Sequence, residues 1–202
     1  MSNLEEQLKS AGLQVVDRCE RLTTYSPDLL QNSPLLENFT PEEADVLAAS
    51  MLLVRAAPGQ VLIREGDAGD WMMLILKGTV DVTKHVERPQ NQQPDDHPEH
   101  GAPALPDAAG DADQADASQS RVAVLQRGGS LGEMSMLDSG LRFATCTAIE
   151  PVEAGVLGSH AIGMLIRYHP AVGAKLLVKI TQLMAQRLRN ISNQLVKKLE
   201  KP

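Results

Sequence analysis

The period of the hydrophobic positions changes twice along the chain and divides it into three predicted regions. Up to about residue 50, apolar residues recur at helical spacing, and the run Thr40-Pro41-Glu42-Glu43 has the order of a helix capping box. Between residues 51 and 157, short apolar runs alternate with glycine-containing turns, which is typical of strands in a sandwich or jelly roll. From Pro170 onward, apolar residues recur every three or four positions, which predicts one long helix.

The same pattern predicts where the elements begin and end. The N-terminal region is predicted as one helix capped by Asn3, with apolar residues at Leu4, Leu8, Val15, Val16, Cys19 and Leu22. Residues 23–33 are predicted as a connection, and a short helix capped by Ser159 is predicted to end near His169. The predicted strands are 61–63, 71–76, 79–84, 122–125, 146–149 and 152–157. We therefore predict an α+β fold, a β-sandwich or jelly-roll barrel with flanking helices and a long C-terminal helix.

Residues 131–148 carry the most informative chemistry in the sequence. Gly132 lets the backbone approach a ligand closely, Glu133 supplies a carboxylate that accepts from hydroxyls, and Arg142 adds a planar, permanently charged fork. Residues 134–137 are predicted to form one or two helical turns between the charged groups. This set of groups suits a sugar-phosphate, because one arginine with nearby backbone N–H groups balances a single negative charge.

The order Gly132-Glu133, then Arg142 nine positions after the glutamate, then Ala-Thr, resembles the phosphate-binding cassette of cyclic nucleotide-binding domains. This family includes catabolite-activator-like and protein-kinase-A-regulatory-like proteins, and the resemblance extends over residues 33–195. It implies that Glu133 accepts from the ribose 2′-hydroxyl and that Arg142 pairs with the cyclic phosphate. Gly132, Phe143 and Ala144 would offer backbone groups. The predicted ligand-binding residues are Gly132, Glu133, Met134, Ser135, Arg142, Phe143, Ala144, Thr145, Arg187 and Ser192.

The long helix is also expected to reach the ligand. In the catabolite-activator branch of the family, an arginine and a Thr-Ser pair on this helix contact the nucleotide. These positions match Arg187, Ile191 and Ser192, so Ile191 removes one hydroxyl. Asn190 and Asn193 are further candidate donors, and a plain helix-surface role is the alternative for each of these residues.

Departures from the family pattern bear on which nucleotide is expected. The usual proline before the cassette arginine is Leu141, and the small residue after it is Phe143, which has to stack over the purine or find other room. Relatives that select cyclic GMP carry a threonine at that place, so no residue here favours cyclic GMP. Cyclic AMP is our first choice of ligand, and this choice rests only on what members of the family commonly bind. Cyclic di-GMP would call for a second cation, for which Arg127 and Arg187 are candidates.

Resemblance and composition together predict three units. Residues 1–32 form an N-terminal helix and connection, 33–168 a cyclic nucleotide-binding domain, and 169–202 a dimerisation or lid helix. The acidic segment 87–120 is predicted to be a disordered insertion, because its composition cannot bury enough apolar surface to offset ordering. A weak metal site at His97 and His100 is the alternative to a solvated loop there.

The composition of the 202 residues narrows the function classes. A formal net charge of -7 argues against general affinity for nucleic acid or acidic membranes. Cys19 and Cys146 lack metal-type spacing, which indicates a reducing cytoplasm and no metal or cofactor. No apolar run approaches the ~18 residues of a membrane span, and the N-terminus lacks the basic start of a signal peptide. No nucleophile and base constellation suggests catalysis, so we expect a protein that is not an enzyme.

Bacterial relatives carry a helix-turn-helix domain after the long helix, whereas only three residues follow Leu199 here. Direct DNA binding is therefore disfavoured. We expect a free-standing cytoplasmic receptor that dimerises through its long helix and signals to an unknown output protein. The alternatives are a ligand-independent dimeric scaffold with a vestigial site, and a monomer whose long helix folds back on the helix around Leu4.

Overall fold

The computed structural model describes residues 2–25, 28–85 and 119–199. The helices are α1 (Ser2–Ser10), α2 (Leu22–Tyr25), α3 (Leu29–Asn32), α4 (Pro41–Ala49), α5 (Glu133–Asp138), α6 (Ser159–Tyr168) and α7 (Pro170–Leu199). The strands are β1 (Gln14–Arg18), β2 (Leu52–Ala56), β3 (Val61–Ile63), β4 (Trp71–Lys77), β5 (Val80–His85), β6 (Gln119–Leu125), β7 (Ser130–Leu131), β8 (Thr145–Ala148) and β9 (Val152–Gly158). Every strand predicted from the sequence is present, with bounds that shift by at most three residues.

The strands form two antiparallel sheets that share one core. One sheet has the order β1-β2-β9-β4-β7 and the other has the order β3-β8-β5-β6. On β4, Met73 and Ile75 belong to the core between the sheets. Met72 and Leu74, which point to the opposite face, belong to the core beneath the helices. The continuous apolar run of β4 reflects burial on both faces, and the predicted fold class is confirmed.

The helix α4 begins with the capping box that the sequence predicts. The Glu43 N–H donates to Thr40 Oγ1 at 3.3 Å, and the Thr40 N–H donates to Glu43 Oε2 at 2.9 Å. Pro41 occupies the first turn, where its missing N–H costs nothing. Leu47 and Ala48 are fully buried in the core beneath the helices, so the predicted packing of this helix on the barrel is confirmed.

The sequence prediction is wrong in the N-terminal region. The helix α1 starts before Asn3, which therefore lies within the helix instead of capping it, and α1 ends at Ser10. Gly12 then turns the chain with φ of +78°, and β1 follows, pairing Val15 with Val54 of β2. The β-branched Val15 suits a strand, and this long-range pairing overrides its loosely helical spacing. The two short helices α2 and α3 stand where the sequence predicts only a connection.

The strands β5 and β6 pair antiparallel on either side of the predicted insertion. Because β6 begins at Gln119, the last two residues of the segment 87–120 are part of a strand. Residues 86–118, and with them His97 and His100, lie outside the described residues. The predictions of a disordered loop and of its metal-site alternative fall there.

One predicted helix cap, at the connection from β9 into the C-terminal helices, is wrong. The helix α6 starts at Ser159 with Gly158 at the cap position, and the Ser159 hydroxyl donates to Asp70 Oδ2 at 2.9 Å. Ser159 therefore ties α6 to the start of β4 and does not cap the helix. The predicted end of α6 at His169 and the predicted start of α7 at Pro170 are confirmed.

The first half of α7 is fixed to the helices that precede the barrel. Leu176 is fully buried in the core beneath the helices. Lys175 forms an ion pair with Glu43, and Lys179 Nζ donates to Glu37 Oε2 at 2.7 Å. These contacts place α7 on α4 and α6, whereas α1 packs with the core between the sheets. The alternative in which α7 folds back on the helix around Leu4 is therefore wrong.

The second half of α7 extends past the sandwich. The helix has 30 residues and is about 45 Å long. Its apolar stripe becomes exposed at Leu188 (69%) and Ile191 (45%). The stripe positions Leu195 and Leu199 have side chains outside the described set. Among the described residues, no helix combines the length and the apolar character needed to cross a membrane.

Candidate functional site

The predicted cassette folds as a tight connection between β7 and α5. Gly132 lies at the N-cap of α5 with φ of +76°, a left-handed conformation that costs other residues about 1–2 kcal/mol. A Cβ at this position would lie 2.5 Å from Arg142 Nη1 and 3.2 Å from the Trp71 carbonyl oxygen. Both the backbone conformation and the close approach of Arg142 therefore require glycine here.

Arg142 is held through its backbone and its side chain at once. The Arg142 N–H donates to the Asp67 carbonyl at 2.8 Å, and the Gly66 N–H donates to the Arg142 carbonyl at 2.9 Å. The Arg142 Nη1 donates to the Gly132 carbonyl at 2.8 Å and to Ser135 Oγ at 2.7 Å. The turn Glu65-Gly66-Asp67 and the cassette, which are far apart in the sequence, are thus parts of one site.

The Arg142 guanidinium is buried, with only 4% of the residue exposed. It stacks on the Trp71 ring, 4.1 Å from the ring centroid. Burial lowers the pKa of this guanidinium, and the nearby carboxylates of Asp70 and Asp67 act in the opposite direction. Arg142 nevertheless stays protonated, because arginine does not lose its proton in proteins. The Arg142 Nη2 is buried and has no hydrogen-bond partner among the described residues.

Glu133 connects the cassette to α7. The Arg187 Nη1 donates to Glu133 Oε1, and the Arg187 Nη2 donates to the Ser130 carbonyl at 2.8 Å. Glu133 is only 1% exposed, whereas the Arg187 side chain is 38% exposed. The second carboxylate oxygen, Glu133 Oε2, is buried without a hydrogen-bond partner in the described part of the chain.

The cassette therefore holds two buried polar atoms of opposite character that make no hydrogen bond to any described residue. A buried polar atom without a partner costs about 1–3 kcal/mol, and more when the group is charged. Glu133 Oε2 can only accept, and Arg142 Nη2 can only donate. A ligand with a hydroxyl and an anionic oxygen would satisfy both, which is the chemistry of a sugar-phosphate.

Phe143 and its neighbours form a cluster that the sequence did not predict. The Phe143 side chain is 45% exposed, and Lys84 Nζ lies 4.0 Å from the centroid of its ring. Lys84 Nζ also donates to the Phe143 carbonyl at 2.9 Å and to Glu65 Oε1 at 3.0 Å. The carbonyl of Phe143 is thus already occupied. Glu65 belongs to the turn Glu65-Gly66-Asp67. Its ion pair with Lys84 could not be predicted from the sequence, because it depends on how this turn packs against β5.

The remaining predicted site residues differ in burial and in their contacts. Ser135 is buried and hydrogen-bonded to Arg142, and Ala144 is buried immediately before β8. The Thr145 Oγ1 accepts from the Glu65 N–H at 3.0 Å, which ties it to the barrel. Met134 and Ser192 are exposed.

Two cavities border the charged residues of the site. One of about 210 Å³ lies beside Arg187, between α7 and the turn that joins β6 to β7. The other, of about 260 Å³, borders Arg142 and lies between α1 and β3. Neither cavity could be predicted from the sequence, because each one is formed by elements that are distant along the chain.

Comparison with known proteins agrees with the fold. No protein-family model matches the sequence. The crystal structure of a cyclic nucleotide-binding domain from Methylobacillus flagellatus matches with a TM-score of 0.72 and 25% identity, over 98% of this chain and 96% of that chain. The catabolite activator protein of Thermus thermophilus matches with a TM-score of 0.60 and 25% identity, over 81% of this chain and 62% of that chain. This chain has the fold of cyclic nucleotide-binding domains.

The sequence relationship points to the same domain type. The cyclic AMP receptor protein of Thermus thermophilus is 29% identical over 167 residues, which are 82% of this chain and 62% of that protein. The chain thus spans less than two thirds of the length of this curated relative.

Proposed function

We propose that this chain is a cyclic AMP receptor that passes its bound state to a partner protein through α7. One observation carries the proposal: Glu133 Oε2 and Arg142 Nη2, two buried atoms without hydrogen-bond partners in the described part of the chain, belong to one cassette. A cyclic nucleotide offers the complement of both, because a ribose hydroxyl donates and a cyclic phosphate accepts. The name of the Thermus thermophilus relative supports cyclic AMP as the ligand.

Arg142 is suited to hold the single charge of a cyclic phosphate. Its Nη1 is already bonded to the Gly132 carbonyl and to Ser135 Oγ, so the plane of the guanidinium is fixed in advance. Nη2 then donates a charge-assisted hydrogen bond to a phosphate oxygen. Because the side chain does not have to be ordered on binding, more of the contact energy appears as affinity.

Glu133 is the proposed link from ligand to output. Arg187 of α7 takes one carboxylate oxygen, and the ribose hydroxyl takes the other. The ligand then favours the arrangement of α7 in which Arg187 lies on Glu133 over any arrangement in which α7 leaves the cassette. Only such a difference in affinity between two arrangements shifts their populations. The surface of α7 is the proposed signal to the output protein.

The proposed units follow the predicted boundaries. Residues 33–168 bind the nucleotide, 169–202 carry the output, and 1–32 are an accessory segment whose strand β1 extends the first sheet.

We place the protein in the cytoplasm, because Cys19 and Cys146 are free thiols, which persist in a reducing compartment. We further propose a regulatory role without catalysis, in line with the regulator names of the similar proteins.

Thermal unfolding with cyclic AMP, cyclic GMP and cyclic di-GMP in parallel tests the ligand. At ~100 times its dissociation constant, cyclic AMP is expected to add about 2.7 kcal/mol of stability, or roughly 5–10 °C in Tm for a chain of this size. A shift with cyclic di-GMP alone would replace the proposed ligand by the dinucleotide. No shift with any of the three would contradict the receptor and favour a ligand-independent scaffold.

We propose in addition that the exposed end of α7 pairs with α7 of a second copy. Leu188 and Ile191 lie one turn apart on the same face and are largely exposed in the single chain. An apolar stripe of this kind on a helix that extends past its own barrel is typical of a coiled-coil seam. A two-fold dimer covers both copies of the stripe at once.

The double substitution Leu188→Asp/Ile191→Asp is expected to convert the dimer to a monomer. The seam would then have to bury four carboxylates, two from each copy, which costs far more than the apolar contacts return. Light scattering coupled to gel filtration gives the mass of the parent and the variant. The control Gln182→Asp/Asn193→Asp adds the same charges at exposed polar positions of α7 and is expected to remain dimeric. A monomeric parent chain would contradict the proposal.

A further inference from the structure

The cassette arm, residues 141–144, carries Arg142 and alternates between exposed and buried positions. Leu141 and Phe143 are 66% and 45% exposed, whereas Arg142 is 4% exposed and Ala144 is buried as well. The two large apolar side chains of the arm therefore contribute little of the burial that could fix it on the barrel. Polar contacts have to hold the arm, and with it the guanidinium of Arg142, in place.

The backbone of the cassette arm is bonded to the turn Glu65-Gly66-Asp67. Arg142 forms two of these bonds, one to the Asp67 carbonyl and one from the Gly66 N–H. A third bond runs from the Glu65 N–H to Thr145 Oγ1, where the arm enters β8. The turn thus fixes the arm at Arg142 and at its junction with β8.

Lys84 of β5 holds the cassette arm between these two points. Its Nζ donates to the Phe143 carbonyl at 2.9 Å and to Glu65 Oε1 at 3.0 Å, and it lies 4.0 Å from the centroid of the Phe143 ring. The other carboxylate oxygen, Glu65 Oε2, accepts from the His85 N–H at 2.8 Å. A single ammonium group therefore joins three segments that are distant along the chain, namely β5, the turn and the cassette arm.

We infer that Lys84, itself fixed by Glu65, is a positioning residue that keeps Arg142 in the orientation required for the ligand. The inference rests on the proposed function, because it takes Arg142 as the residue that holds the cyclic phosphate. Lys84 does not need to touch the nucleotide in this role. It acts through the carbonyl and the ring of Phe143, the residue that follows Arg142.

The effect of Lys84 on ligand binding is expected to exceed its effect on stability. The Lys84 and Glu65 side chains are 37% and 25% exposed, and an ion pair at this exposure contributes little to the free energy of unfolding. When the arm is released, only a fraction of the chains holds Arg142 in place, and the dissociation constant rises by the inverse of that fraction. A role confined to stability would give the opposite order of effects.

The fluorescence of Trp71 in the ligand-free chain tests the position of Arg142 directly. Trp71 is the one tryptophan of the sequence, and the Arg142 guanidinium stacks on its ring. Lys84→Met removes the donor and keeps a side chain that can pack on the ring of Phe143. We expect its emission spectrum to move most of the way from that of the parent chain to that of Arg142→Ala.

Arg55→Met is the matched control for this measurement. Arg55 pairs with Glu153 at 2.9 Å between β2 and β9, which belong to the other sheet. The substitution therefore removes the cation of a partly exposed ion pair and leaves the contacts of the cassette arm intact. Arg55→Met is expected to keep the parent spectrum.

Calorimetry with cyclic AMP measures the consequence for binding. Lys84→Met is expected to bind cyclic AMP about tenfold more weakly than the parent chain, which corresponds to an arm in place in about one chain in ten. Lys84→Arg keeps the charge and can donate to both oxygen atoms, so its affinity is expected to lie within about threefold of that of the parent. Arg55→Met is expected to retain the parent affinity, and Lys84→Met is expected to lower the Tm of the ligand-free chain no more than Arg55→Met does.

The outcomes separate this inference from the function on which it rests. A parent spectrum in ligand-free Lys84→Met would overturn the positioning role, whether or not a nucleotide binds. Parent affinity for cyclic AMP in Lys84→Met, or a loss of affinity that Lys84→Arg does not restore, would overturn it as well. If the parent chain binds no cyclic nucleotide, the receptor is contradicted and the role toward a ligand falls with it, and the fluorescence still decides whether Lys84 fixes Arg142.

Discussion

Arg142→Ala is expected to remove almost all of the thermal stabilisation that cyclic AMP gives. Arg142 is 4% exposed, and its Nη2 is the proposed donor to the cyclic phosphate. Without it, the phosphate charge is held in a buried site with no cation, which costs about 3 kcal/mol or more in affinity. At a concentration of ligand that adds about 2.7 kcal/mol to the parent chain, the variant is then expected to gain only a few tenths of a kcal/mol.

The measurement is the shift in Tm on adding cyclic AMP, compared within each variant. Arg142→Ala is also expected to lower the Tm of the ligand-free chain, because Ser135 and the Gly132 carbonyl lose their partner, so the absolute Tm is not the readout. Arg121→Ala removes an exposed arginine of β6 that pairs with Asp81 on the neighbouring strand β5, and it serves as the control. A parent-sized shift in Arg142→Ala would contradict the assignment of this residue to the phosphate.

Arg187→Ala is expected to destabilise the ligand-free chain by about 2–3 kcal/mol. Removing one partner of a fully buried ion pair costs about 3–5 kcal/mol, because the other charge is left without compensation. Glu133 is 1% exposed, and neither of its carboxylate oxygens would keep a partner in the variant. The Arg187 side chain is 38% exposed, so water can enter the space that it leaves, which reduces the loss of stability. The free energy of unfolding in urea, at one fixed protein concentration, gives the difference.

A second substitution separates the charge effect from a loss of packing. In Glu133→Gln/Arg187→Ala, the carboxylate charge is gone, and most of the lost stability is expected to return. Arg189→Ala, an exposed arginine two positions away on α7, is expected to change the free energy of unfolding by less than about 0.5 kcal/mol. If the double variant is no more stable than Arg187→Ala, the pair with Glu133 is not what stabilises this contact.

The local parts of the fold were predictable because their causes are local. The capping box at Thr40 joins residues three positions apart, and the structure forms it as predicted. The long helix follows from an unbroken apolar period after Pro170. Gly132, Glu133 and Arg142 were singled out by their residue types and spacing, and all three lie together in the cassette. Their roles toward a ligand stay predictions that the experiments above test.

The errors have a common physical origin in long-range contacts. The strand β1 was predicted as helix, because the spacing of its apolar residues is compatible with a helix and with a strand. Its pairing with β2 makes this segment a strand. Ser159 was predicted as a cap, but Asp70, 89 positions earlier, takes its hydroxyl. Phe143 was predicted to enter the ligand site or find other room, and its ring lies exposed beside Lys84.

The sequence by itself determined the kind of protein: an α+β sandwich with a cyclic nucleotide-type cassette and a long amphipathic helix. The sandwich and the helix could be predicted because the hydrophobic period, caps and turn residues act over a few positions, whereas the cassette was recognised by its resemblance to a known family. The tertiary structure decided which charged groups meet. It brought Arg187 onto Glu133 across 54 positions and placed Arg142 on Trp71. It left Glu133 Oε2 and Arg142 Nη2 without a hydrogen bond among the described residues. Such pairings depend on how the packed elements orient their side chains, and no local pattern in the chain encodes that orientation.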